Sequence, residues 1–139
     1  MKKDALYVIG PGTTTRTIAD LLDEKKTLLG VDLFLNKKNF YKDVNEKEIM
    51  KNIRPRKTYI IVTPIGGQGF ILGRGNQQIS SRIIKKVGIK NIIVVATKYK
   101  LSKLNVLRID SESQIINKQL KGRIKVVVGY REDLLMNIE

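Results

Sequence analysis

The sequence predicts an α/β domain: a three-layer, Rossmann-like build with a mostly parallel sheet and a small hairpin after the second strand. Three observations carry that expectation. Short Val/Ile runs without polar alternation, such as "YIIV" and "NIIVVA", read as strands buried on both faces. Segments with apolar residues at helical spacing separate them. The two kinds of segment alternate along 139 residues with no linker, repeat or low-complexity tract, so residues 1–139 are expected to form a single domain.

The elements follow in order. "ALYVI" (Ala5–Ile9) is a buried strand ended by Gly10-Pro11-Gly12, and a helix from about Thr14 to Glu24 carries Ile18, Leu21 and Leu22 at i, i+3 and i+4. "LLGVDLFLN" (Leu28–Asn36) is the second strand, and the turn Asn36-Lys37-Lys38 folds "NFYKDV" back onto it. Asn45 and Glu48 have capping-box spacing for a helix bearing Ile49, Met50 and Ile53 and stopped by Pro55. Thr58–Thr63 is the third strand. A glycine-rich loop comes next, then a helix near Gln77–Val87 striped by Ile79, Ile83, Ile84 and Val87 and closed by Gly88. Asn91–Thr97 is the fourth strand and Val106–Ile109 a short fifth. Ser111 and Gln114 cap a helix through Leu120, and Ile124–Val128 is the last strand.

Composition narrows the chemistry. With neither cysteine nor histidine, the chain has no thiolate metal site, no imidazole base and no Ser-His-Asp mechanism of its own, and no metal ligands are expected. Short apolar runs and a start without a signal-peptide core lead to the expectation of a cytoplasmic protein without a membrane span. The 27 basic against 13 acidic residues give a net charge of +14. That brings an anionic partner to mind, but many lysines are scattered in pairs among acidic residues, which free use of surface lysine explains better, so charge alone decides nothing. Aromatic residues are only 6% and are not interleaved with cations on one strand face, so nucleic acid ranks last among partners.

Ligands of open parallel sheets bind beyond the carboxyl ends of the strands. Those ends here run into "GPGTTTR", "TPIGGQGFILGRGNQQ", Thr97-Lys98 and "GYRE". In the first loop, Gly10 and Gly12 allow a sharp turn, and Thr13, Thr14 and Thr15 offer hydroxyls and free amides at a helix start. Arg16 is a cation placed against the helix dipole, which an anion would offset. The plain alternative is an N-cap by Thr13 and an ion pair between Arg16 and Asp20. The spacing is neither Walker A nor G-x-G-x-x-G.

The second loop holds five of the chain's 11 glycines, among them Gly66, Gly67, Gly69 and Gly75. That density implies positive φ angles or close backbone contact with a ligand. Gln68, Arg74, Asn76 and Gln77 supply donors and acceptors for a phosphate, base or sugar, while the plain alternative makes Asn76 an N-cap. Asp32, within apolar "GVDLF", is either at a strand end in the site or on the solvent face of the hairpin. Asp110 is read as a turn residue. Tyr130 and Arg131 either close the site or begin a loose tail.

Taken together, "YVIGPGTTTRTIAD", "KTLLGVDLF", "TPIGGQGFILGRGNQQIS", "NIIVVATKYKL" and "VVVGYRE" resemble the C-terminal half of the ATP-NAD kinase-like family of acetoin-catabolism protein X type. The resemblance implies binding of ATP, NAD or a related phosphorylated compound, with Mg reaching the site only through a bound phosphate. Kinases of this kind carry a Gly-Gly-Asp-Gly-Thr motif in the N-terminal half. Here "GGQG" is the sole Gly-Gly and no Asp follows it, so kinase activity is not expected of this polypeptide alone. A separate kinase-half chain is the expected partner, and a homo-oligomer is compatible. The alternative is a self-sufficient enzyme similar to sugar-phosphate isomerases, with Asp32 as base and Lys98 or Arg74 as electrophile.

Overall fold

The computed structural model describes residues 1–53 and 56–139. Pro55, expected to stop a helix, lies outside the described residues. Four strands run parallel through the middle of the main sheet: β1 (Leu6–Ile9), β4 (Thr58–Val62), β6 (Ile92–Val95) and β8 (Gly122–Gly129). Antiparallel strands extend it at both ends: β2 (Asp32–Leu35) and β3 (Lys38–Tyr41) beyond β1, and β9 (Glu132–Ile138) beyond β8. The order is β3-β2-β1-β4-β6-β8-β9. The sheet is therefore mixed, which corrects the Rossmann-like expectation while keeping the α/β class and the hairpin after strand 2. The antiparallel β1–β2 pairing is reached over the long Gly10–Val31 connection, whereas the β2–β3 and β8–β9 pairings come from two-residue turns, which can only bring the chain back antiparallel. Asn36 and Lys37 make such a turn, with φ of 52° and 66°, both in the left-handed region that a tight hairpin of this hand requires.

The two faces of the sheet are covered unequally. One carries Leu6, Val8, Leu33, Ile60, Val62, Val94 and Val126 against three helices: α2 (Glu46–Ile53), α3 (Ser81–Val87) and α5 (Gln114–Leu120). The other face, with Tyr7, Ile9, Phe34, Ile61 and Val95, meets only α1 (Thr13–Leu21). That helix is shorter than the expected Thr14–Glu24, and its packing face is rotated. Thr15 and Ala19 are its buried residues, Ile18 and Leu22 pack beside Ala19, and Leu21 is 83% exposed.

Several helix ends differ from the sequence reading. α3 begins at Ser81 rather than near Gln77, because the Ser80 hydroxyl caps it by accepting from the Ile83 amide. In α5 the cap is Ser113, not Ser111, whose hydroxyl donates to the Ser113 carbonyl and to Asn117. The Asn45–Glu48 capping box forms as read, each side chain accepting from the other's amide. Four elements were not anticipated: β5 (Phe70–Leu72) within the glycine-rich loop, a 3-10 turn at Ile89–Asn91, α4 (Lys98–Ser102) and β9.

The glycine-rich loop is a structure in its own right. β5 (Phe70–Leu72) pairs in parallel with β7 (Arg108–Ile109), a two-stranded sheet beside the main one. Ile71 and Leu72 are fully buried. At Gly73, φ is +92° and a Cβ would lie 2.0 Å from the Asp110 carbonyl oxygen, so only glycine lets the two segments touch. Gly73→Ala is expected to destabilise the fold by about 2 kcal/mol or more, through strain and a forced separation of β5 from β7. Urea unfolding followed by circular dichroism checks this, and an unchanged midpoint would refute it.

Candidate functional site

Parallel pairing of β1 with β4 and β4 with β6 sets three strand ends side by side, and the loops leaving them enclose a cleft of about 380 Å³. Past β1, Gly10 donates its amide to the Ile61 carbonyl at 2.9 Å, and Gly12 donates to Leu28 at 2.9 Å. At Gly12, φ is +125° and a Cβ would stand 2.7 Å from Cγ2 of Thr63, so the residue is held to glycine twice over. Behind the turn, the buried Thr15 hydroxyl donates to the Gly10 carbonyl at 2.8 Å, which fixes the entry into α1.

α1 has no side-chain cap, and its first internal bond runs from the Arg16 amide to Gly12. The amides of Thr13, Thr14 and Thr15 therefore have no acceptor among the described residues, and Thr13 and Thr14 line the cleft. From β4 comes Thr63. It is 5% exposed, and its hydroxyl makes no hydrogen bond among the described residues. Thr63 lines the cleft. From β6, the Thr97 hydroxyl accepts from the Lys100 amide and caps α4. This turns the Lys100 side chain across the cleft, where its ammonium donates to the Gly66 carbonyl at 2.9 Å. The cleft lining has one cation and no carboxylate. Unpaired amides, threonine hydroxyls and an ammonium with hydrogens to spare make the lining rich in hydrogen-bond donors.

The structure sorts the sequence-predicted residues into groups. Gly12, Thr13, Thr14 and Gly66 line the cleft, while Gly10 and Thr15 lie behind it. Arg16 is exposed on the next turn without an ion-pair partner among the described residues, Asp20 included. Gly67, Gln68 and Gly69 form the turn of the Ile65–Phe70 bridge, away from the cleft. The remaining polar residues of the second loop serve the loop itself. Arg74 ion-pairs with Asp110 at 3.1 Å and stacks 4.2 Å from the Phe70 ring centre. Buried Asn76 accepts from the Gly73 amide and donates to the Ile71 carbonyl. Gly75 lies against Ile65, and Gln77 is exposed. The α3 N-terminus is also taken, since the Glu112 carboxylate accepts from the Ser81 amide and hydroxyl. Tyr130 and Arg131 form the turn of the β8–β9 hairpin, and a strand rather than a loose tail follows them. Lys98 pairs with Glu132 at 2.7 Å.

Asp32 is fully buried at a strand end, opposite Ile9, and not on a solvent face of the hairpin. Its carboxylate accepts from the Thr27 amide and hydroxyl, the Asp43 amide and Asn39. Burial pushes the carboxyl up, but these hydrogen bonds together hold it below its ordinary value. Lys26 lies beside it and donates to the Thr27 and Gly30 carbonyls; burial lowers its pKa, and the charges of Asp32 and Asp43 raise it. The network ties the Lys25–Asp32 loop, and with it the Leu28 carbonyl that receives Gly12, to the hairpin. Asp32 does not line the cleft.

Sequence reasoning did not single out Thr63, Tyr99 or Lys100, which all line the cleft. One signal was available. Thr97 three residues before Lys100 is a helix-cap spacing directly after a buried strand, and it places "KYK" on a short helix at the binding edge.

Fold and cleft together define an α/β domain whose polar cleft lies beyond the carboxyl ends of its central parallel strands. The chain matches the family model described as the ATP-NAD kinase C-terminal domain over residues 3–138, and it belongs to that family. No curated protein and no solved structure matches it. No helix among the described residues is long and apolar enough to cross a membrane.

Asp32→Asn puts an amide hydrogen opposite one of the four donors and removes the charge they hold. A loss of about 2 kcal/mol is expected at neutral pH. In the wild type, the folded carboxyl sits below its unfolded value of ~3.9, so its stabilisation is full above that value and drains away as pH falls through the folded one. Urea midpoints from neutral pH to about pH 2.5 should therefore converge for the two proteins at the acid end. Parallel curves would refute the assignment.

Proposed function

We propose that this chain is the ligand-binding half of an ATP-NAD kinase-like system. It holds the phosphate of a nucleotide, ATP or NAD, in the cleft beyond β1, β4 and β6, and it acts with a separate chain that supplies the Gly-Gly-Asp-Gly-Thr motif. One observation carries the reading. Unpaired α1 amides, the unpaired and nearly buried Thr63 hydroxyl and the Lys100 ammonium face one space lined by no carboxylate. A phosphate there gains charge-assisted hydrogen bonds from groups already held in place, at little ordering cost. Membership of the kinase C-terminal family supports a nucleotide as the phosphate's bearer, and a divalent cation would arrive bound to that phosphate.

Calorimetry with NAD, ATP and pyrophosphate tests the proposal. Saturable heat is expected with at least one of them, and no heat at millimolar concentration with any would overturn it. Lys100→Met and Thr63→Val are each expected to weaken binding about tenfold, with the melting temperature unchanged. Affinity indifferent to both substitutions would place the ligand elsewhere.

A further inference from the structure

The two edges of the main sheet differ in how they are guarded. β3, at one end, is four residues long, has Lys37, Lys38 and Lys42 along it, and its Asn39 amide donates to the Glu24 carboxylate at 2.7 Å. Short length, lysines and an occupied amide keep an edge strand from pairing with another chain. β9, at the other end, is seven residues long and contains no lysine and no proline. Its far end is taken, since the Leu107 amide donates to the Asn137 carbonyl and the Glu139 amide to the Leu107 carbonyl. Those two bonds fix the alternation: the odd-numbered residues of β9 turn their backbone groups away from β8. The outward groups of Asp133 and Leu135 have no partner among the described residues, and Leu134 and Leu135 are 41% and 59% exposed.

We infer that β9 pairs antiparallel with β9 of a second copy of this chain, about a two-fold axis at Leu134, which joins two main sheets into one. The free stretch matches its own reverse. With Leu134 opposite Leu134, Asp133 of each copy lies opposite the partner's Leu135, and the outward amides and carbonyls of those residues satisfy one another. On one face of the sheet the two Leu134 side chains meet at the axis and shield each other from water. On the other face, Asp133 is set beside the partner's Leu135. The β8 neighbour of Leu135 is Lys125, so a carboxylate of one copy and an ammonium of the other come within reach. Charge also selects this edge. A net charge of +14 sets copies against each other over most of their surface, but β9 carries Glu132 and Asp133 and no cation. The contact lies outside the anion cleft and stands whether or not that cleft holds a phosphate.

Sedimentation velocity of the whole chain from about 1 µM to about 200 µM tests this, with the mass expected to rise from one chain to two by mass action. Leu134→Lys sets two ammonium groups against each other at the axis. Leu135→Pro removes an outward amide that the β8–β9 ladder does not use. Each is expected to weaken dimerisation at least about tenfold and to leave the melting temperature of the dilute protein unchanged. Leu134→Lys decides if Leu135→Pro disturbs the strand. In the wild type, hydrogen exchange at the Asp133 and Leu135 amides should slow as concentration rises. A mass of one chain throughout would overturn the pairing, and it is the result expected if a strand of another protein covers this edge. A two-chain mass indifferent to both substitutions, or exchange at Asp133 and Leu135 indifferent to concentration, would put the contact elsewhere and overturn it equally.

Discussion

The contact between Gly12 and Thr63 is the constraint on which the site depends. β1 and β4 are parallel neighbours, so their carboxyl ends lie side by side, and the loops that leave them must pass each other at close range. A side chain at Gly12 would push the first loop off the second and carry the start of α1 with it. With hydrogen alone there, the helix begins against β4, and its first residues, Thr13 and Thr14, line the same cleft as Thr63. The Thr15 latch on the Gly10 carbonyl holds the turn from one side, and the Gly12 bond to Leu28 holds it from the other. Strand pairing positions the loops, one missing Cβ lets them close, and the unpaired donors follow from that geometry.

Much of this was legible in the residues. Val/Ile runs marked every central parallel strand, because β1 and β4 are covered on both faces and β6 and β8 keep the same apolar make-up although their second face is more open. The β2–β3 hairpin showed itself through its turn residues. What escaped was at the periphery, for a physical reason. β9 has Ile138 as its only fully buried side chain and lies at the sheet edge, so "EDLLMNI" shows neither continuous apolarity nor alternation. α4 is five residues long, too short for a helical stripe. The orientation of α1 was misjudged because periodicity selected Leu21 as core, whereas the sheet face beyond Ile61 is uncovered and Leu21 overhangs it.

The cleft was legible in its position and less so in its lining. The strand-end rule pointed to the edge of the sheet where the cleft lies. Polar density then drew attention to Gly73–Gln77, where most of the hydrogen-bonding capacity turns inward. Arg74 is spent on Asp110 and Phe70, Asn76 on the loop's own backbone, and the α3 N-terminus on Glu112. Such a loop needs glycines for the close approach of β7 as much as any ligand-binding loop would. Sequence records which residues can donate but not which have already donated.

The separation of the two loops has a further consequence. A second loop braced by Asn76 and pinned to β7 at Gly73 is rigid, and Gly66, at its start, takes the Lys100 ammonium on its carbonyl. The dense hydrogen bonding at Gly73–Asn76 therefore acts on the cleft at one remove, by fixing the far wall against which Lys100 is positioned. Donors held this way meet an anion without first being ordered, and the cost of ordering has already been met in folding. The same rigidity limits what the cleft can do alone. Among the described residues its lining has an ammonium and hydroxyls but no carboxylate to take up a proton or hold a metal.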